Sequence, residues 1–137
     1  MAEDDRRAES AGVPGERVKK RPLVLVVDDD ADIADSIGDV LRGGGYDVEQ
    51  VGDGLAALAA VARAKPSVVL LDWRLPSEPA GSPLVRKLRD ACGHVPIVVL
   101  SADPQSLAEA REAHVSDYLP KPFDVRDLLS LVDEHCE

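Results

Sequence analysis

Three aspartates, a serine and a lysine stand where they could share chemistry. Asp28 and Asp29 follow the apolar run Leu23–Val27, Asp72 closes a second run at 68–71, and Ser101 closes a third at 97–100. Lys121 follows a fourth run at 115–119, within Tyr118-Leu119-Pro120-Lys121-Pro122-Phe123. If these runs are parallel neighbours in one sheet, all five residues reach the same edge. Two carboxylates about 4 Å apart repel by roughly 4 kcal/mol at an effective dielectric of 20. Three acids converging there need a cation. Lys121 supplies part of the compensation and a small oxygen-preferring divalent ion the rest. Few protein ligands and an incoming phosphate favour Mg²⁺ over Ca²⁺. Asp72, between Leu71 and Trp73, is then the carboxylate placed to attack phosphorus.

The elements that must position these groups follow from periodicity. Leu23–Val27 is a short Val-rich run, as a strand buried on both faces requires. Ile33, Ile37, Val40 and Leu41 recur at helical spacing and stop at Gly43-Gly44-Gly45. Tyr46, Val48 and Val51 alternate as a second strand, and Asp53 caps a helix carrying Leu55, Leu58, Ala59 and Ala62 that ends before Pro66. The run at 68–71 is a third strand, followed by a loop and a helix with Leu84, Val85 and Leu88. A fourth strand at 97–100, a helix at 104–113, a fifth strand at 115–119 and a helix capped by Asp124 complete the order. Its apolar face is Val125, Leu128, Leu129 and Val132. Alternation of this kind gives a parallel sheet covered by helices on both faces, with ligands beyond the carboxyl ends of the strands.

Composition sets the outer bounds. The 137 residues fit one domain, 45% of them hydrophobic and 31% charged, in the range of globular chains. Residues 1–21 mix charge signs and carry almost no large apolar group, so they are expected to be a flexible tail before a folded domain at 22–137. The basic end, Lys19-Lys20-Arg21, reads as a solvated linker. No apolar run is long enough to cross a membrane and the N-terminus lacks a signal-peptide core, so the expected compartment is the cytoplasm. Cys92 and Cys136 show no metal spacing and read as free thiols, while His94, His114 and His135 share no ligand spacing and read as surface residues. A formal net charge of −10 would repel phosphates, so nucleic acid is not expected as a partner and proteins are.

The segments VVDD, LLDWRLP, VVLSA and YLPKPF, in this order, resemble the receiver domain of two-component response regulators. The resemblance covers about residues 22–136 and implies a flavodoxin-like α/β fold: a five-stranded parallel sheet, order 2-1-3-4-5, with helices on both faces. It also implies roles. Asp29 would bind Mg²⁺ directly and Asp28 mainly through water. Asp72 would be the phosphoacceptor and a metal ligand, and Arg74 would lend its backbone carbonyl to the ion. Ser101 would be the switch hydroxyl, Tyr118 the switch aromatic, and Lys121 the ammonium that pairs with the phosphoryl group. Lys121-Pro122 matches the family's cis-peptide site. A histidine kinase or histidine phosphotransfer protein would supply phosphate, and output would pass to a downstream protein target from a monomer or weak homodimer. Such a domain is not an enzyme in the ordinary sense, although it promotes its own phosphorylation and dephosphorylation.

Alone, Asp28 and Asp29 would read as an acidic helix start; Asp30 or Asp32 is expected to serve that purpose. Trp73 could shield the site, meet a partner or simply pack. Gly81 stands nine residues after Asp72 where the family commonly has Gly at eight, so the intervening loop is longer, and Pro79 and Pro83 stiffen it. The stretch from Ser101 to Tyr118 is short, so the fourth helix is expected to be short or poorly ordered. Arg74 and Asp103, each two residues beyond a site residue, could pair across the pocket and restrict attacking water. The chain stops just after the last helix, which points to a stand-alone regulator; a phosphorelay shuttle and a receiver-like interaction module are the alternatives. An aspartate-nucleophile phosphatase needs an acid two residues after the nucleophile, where this chain has Arg74.

Overall fold

The computed structural model describes residues 21–136. Strands and helices alternate as β1 (Leu23–Val27), α1 (Ala31–Gly43), β2 (Asp47–Val51), α2 (Gly54–Arg63), β3 (Val68–Asp72), α3 (Gly81–Cys92), β4 (Ile97–Ser101), α4 (Pro104–Glu112), β5 (Asp117–Pro120) and α5 (Val125–His135). All neighbouring strands pair in parallel, in the spatial order β2-β1-β3-β4-β5. That is the expected flavodoxin-like arrangement.

Successive strand residues point to opposite faces, and the core divides accordingly. Leu25, Val27, Val69, Leu71, Ile97 and Val99 pack under α2, α3 and the Ala110 face of α4. Val24, Val26, Val68, Leu70, Val98 and Leu100 pack under α1 and α5. The three central strands are therefore apolar throughout, and the polar residues that end them are held by a buried scaffold.

Helix starts agree with side-chain chemistry. Asp30 caps α1 by accepting from the amides of Asp32 and Ile33, at 3.0 and 3.2 Å. Asp53 accepts from Ala56 at 2.7 Å and Asp124 from Arg126 at 2.8 Å. Gly54 sits where a Cβ would come within 2.1 Å of the Pro79 carbonyl oxygen, so the long β3–α3 loop folds back onto the start of α2. The peptides Glu78-Pro79 and Lys121-Pro122 are both cis.

One boundary differs from expectation. Strand β5 begins at Asp117 and not at 115, because the amide of Val115 bonds the Ala110 carbonyl and Ser116 is the first to join β4, through Ile97. Val115 nonetheless packs on the core, which is why its side chain reads as strand. Helix α4 is short, nine residues ending at Glu112, and only Ser106 and Ala110 of it are buried. The flexible-tail expectation lies outside the described residues except at Arg21. There the guanidinium donates to the carbonyls of Arg42 and Tyr46 at 2.8 and 3.0 Å and sits 3.6 Å from Asp47, fastening the start of the domain to the α1–β2 turn.

Candidate functional site

The carboxyl edge of the sheet gathers Asp28, Asp29, Asp72 and Lys121. Asp28 extends β1 by one amide, which donates to Val51 of β2 at 3.0 Å. The residue is 3% exposed and its carboxylate accepts from the Asp30 amide at 2.9 Å. Asp72, the last residue of β3, lies in register with Leu100, so Ser101 stands one residue further along the adjacent strand. The Lys121 backbone donates to the Ser101 carbonyl at 2.8 Å, which docks the loop after β5 against the end of β4. From there its ammonium reaches Asp28 at 3.3 Å and Asp72 at 4.0 Å.

One oxygen from each of Asp28, Asp29 and Asp72 lies within 4.8 Å of the other two. Burial pushes the Asp72 carboxyl up from its ordinary value to about 6. Lys121 acts in the opposite direction, Asp28 and Asp29 add to the rise, and the Arg74 amide, 3.3 Å from Oδ1, opposes it. Three ionised carboxylates against one ammonium leave two negative charges, and every donor is a hard oxygen. Such a set fits a divalent ion of the magnesium kind.

Ser101, Tyr118 and Leu107 line a cavity of about 170 Å³ between β4, α4 and β5. The Ser101 hydroxyl oxygen accepts from the Asp103 amide at 3.1 Å, so its hydrogen remains available to a further acceptor. Tyr118 is half-buried and packs at the margin of the core. The Arg74 side chain turns to Asp103, donating from Nε at 2.9 Å and from Nη2 at 2.5 Å, so the expected cross-pocket pair is present. The Asp103 carboxyl is held below its usual range by the Gln105 amide and then by Arg74.

Trp73 resolves to packing. It is 3% exposed, lies against Gly81 and donates its indole N–H to Glu109 of α4 at 2.8 Å. Sequence reading missed Glu109, because no local pattern relates positions thirty-six residues apart.

With this geometry established, comparison with known proteins is decisive. A family profile described as the response regulator receiver domain matches residues 24–133. The chain belongs to that family. Magnesium and an aspartyl phosphate are typical of receiver domains. The chain is 43% identical over 114 residues to the DNA-binding response regulator MtrA of Mycobacterium tuberculosis (strain ATCC 25618 / H37Rv), covering 82% of this chain and 49% of the relative. It is 33% identical over 114 residues to the DNA-binding dual master transcriptional regulator RpaA of Synechocystis, covering 81% and 47%. Among solved structures, the receiver domain of sensor histidine kinase PA1611 from Pseudomonas aeruginosa superposes with a TM-score of 0.78 at 29% identity, covering 85% and 98% of the two chains. That structure has a magnesium ion coordinated in its active-site cleft. The chemotaxis protein CheY4 of Vibrio cholerae gives 0.77 at 28% identity, covering 84% and 98%.

One expectation is corrected. Nucleic acid was excluded as a partner on net charge, yet MtrA and RpaA are named as DNA-binding. The chain spans about half the length of these relatives, and the acidity of one domain says nothing about a surface carried by other residues. Among the described residues no helix is long and apolar enough to cross a membrane.

Proposed function

We propose that this receiver domain is a phosphoryl-accepting switch, with Asp72 as acceptor and a phosphohistidine of a histidine kinase or phosphotransfer protein as donor. The supporting observation is the convergence of Asp28, Asp29, Asp72 and Lys121 at one sheet edge. Asp28, Asp29, Asp72 and the Arg74 carbonyl would hold Mg²⁺, which when bound neutralises charge on the transferring phosphoryl oxygens. With a carboxyl that titrates near 6, Asp72 is mostly ionised at neutral pH and so nucleophilic. An oxygen of Asp72 forms the new bond to phosphorus while the P–N bond breaks and the imidazole nitrogen departs with the electron pair. Lys121 leaves Asp28 or leans between both groups to pair with a phosphoryl oxygen. The Ser101 hydroxyl donates to another, and Tyr118 has the adjoining cavity to turn into. The phosphoryl group stabilises that arrangement only by the contacts it gains there.

The domain promotes this transfer and its own dephosphorylation without being a multiple-turnover enzyme. The Arg74–Asp103 pair spans the approach to the acceptor and limits water attack. We place the domain in the cytoplasm and, on the names of its relatives, assign it an output that includes control of DNA binding. Incubation with Mg²⁺ and a small phosphodonor, followed by intact-mass measurement, should show one phosphoryl adduct on the wild type and none on Asp72→Asn. No adduct on either protein would favour a receiver-like interaction module and sink the phosphoacceptor reading.

A further inference from the structure

At the opposite edge of the sheet, the end of α5 returns to the start of β5. His135 Nε2 lies 3.5 Å from Asp117 Oδ2, with side-chain exposures of 21% and 36%. Glu134 brings a further carboxylate, and one ligand atom from each of Asp117, Glu134 and His135 lies within 4.8 Å of the other two. We propose that these three residues form a second metal site, for a borderline transition cation of which zinc is the representative.

The donor set selects the ion. An imidazole with two carboxylates suits Zn²⁺, Co²⁺ or Ni²⁺, whereas Mg²⁺ prefers oxygen and its own water. Bonds of about 2.0–2.1 Å to a tetrahedral zinc place neighbouring ligand atoms roughly 3.4 Å apart. The His135–Asp117 pair already has that spacing. Asp117 is also pre-oriented: its Oδ1 accepts from the Tyr118 amide at 2.9 Å, which turns Oδ2 toward the imidazole. Such outer bonds hold ligands in their binding orientation. Glu134 is exposed, so its side chain can swing in to complete three protein ligands. The fourth position is left to water. A bound ion would fasten the last turn of α5 to the edge strand β5, two elements that meet there through the His135–Asp117 contact.

The full chain, held in excess Mg²⁺ to saturate the acidic edge, should bind one Zn²⁺ by titration calorimetry, with a rise in Tm. Co²⁺ in its place should give the visible absorption of a tetrahedral site without a thiolate charge-transfer band. His135→Ala and Glu134→Gln should each weaken zinc binding by about tenfold or more; Glu134→Gln alters an exposed side chain and so guards against a folding artefact. Asp72→Asn and Cys136→Ser should leave it unchanged. Absence of stoichiometric zinc binding, retention of full affinity in both His135→Ala and Glu134→Gln, or loss in Cys136→Ser would overturn the proposal.

Discussion

The two edges of this sheet carry similar groups on unlike foundations. At the carboxyl edge, Asp28 and Asp72 stand at the ends of strands buried along all or nearly all of their length, and the core dictates where their carboxylates point. At the amino edge, Asp117 and His135 sit on an edge strand and a terminal helical turn, half in solvent. Crowded, desolvated carboxylates are costly and so await a cation or a reaction. Exposed ones are cheap and adjustable, suited at most to holding an ion. Depth of burial, more than the kind of side chain, separates the two places.

The sharpest way to break this comparison is to remove the one ammonium from the buried edge. Lys121→Met should slow phosphorylation of Asp72 by about 10²–10³-fold, while His135→Ala leaves the rate alone. Both rates follow from a time course of adduct mass, and an equal loss in both variants would erase the distinction between the edges.

A smaller effect concerns acid. The Asp72 carboxyl titrates near 6 in the folded chain and near 3.8 when unfolded, so the folded state holds its proton more firmly. Stability from this group is therefore full below about pH 4 and is lost as pH rises through 6. In chelator, Asp72→Asn should be more stable than the wild type at pH 7, by on the order of 1 kcal/mol after allowance for solvent screening. The two proteins should converge near pH 4. Thermal melts across that window test the sign; a wild type that gains on Asp72→Asn with rising pH would contradict it.

The smallest effect belongs to the exposed Arg74–Asp103 pair. Arg74→Ala and Asp103→Ala should each speed loss of the phosphoryl group by about threefold, a modest change because surface pairs contribute roughly 0–1 kcal/mol. Unchanged decay in both variants would remove the pair from the mechanism.

Legibility followed the same division. Strand β1 and the caps Asp30, Asp53 and Asp124 were readable, because each depends on neighbours in sequence. Asp28, Asp29, Asp72 and Lys121 were readable because each follows an apolar run, and parallel topology brings such ends to one edge. The start of β5 was not, since Val115 satisfies the core with its side chain while its amide serves the α4 turn. Glu109 was silent for want of any local signature, and His135 because its partner Asp117 is brought to it by the sheet. Charge misled about nucleic acid, since it reports only on the residues that bear it.

The indole tucked beside Asp72 has an optical consequence. Trp73 is the one tryptophan in the sequence, accompanied by only two tyrosines, so near-ultraviolet emission comes from a single address next to the acceptor. Its N–H is tied to a carboxylate on α4, so displacement of that helix should alter the emission directly. The protein thus carries its own unlabelled fluorophore, and stopped-flow records of ion entry and of modification can be taken on the native chain.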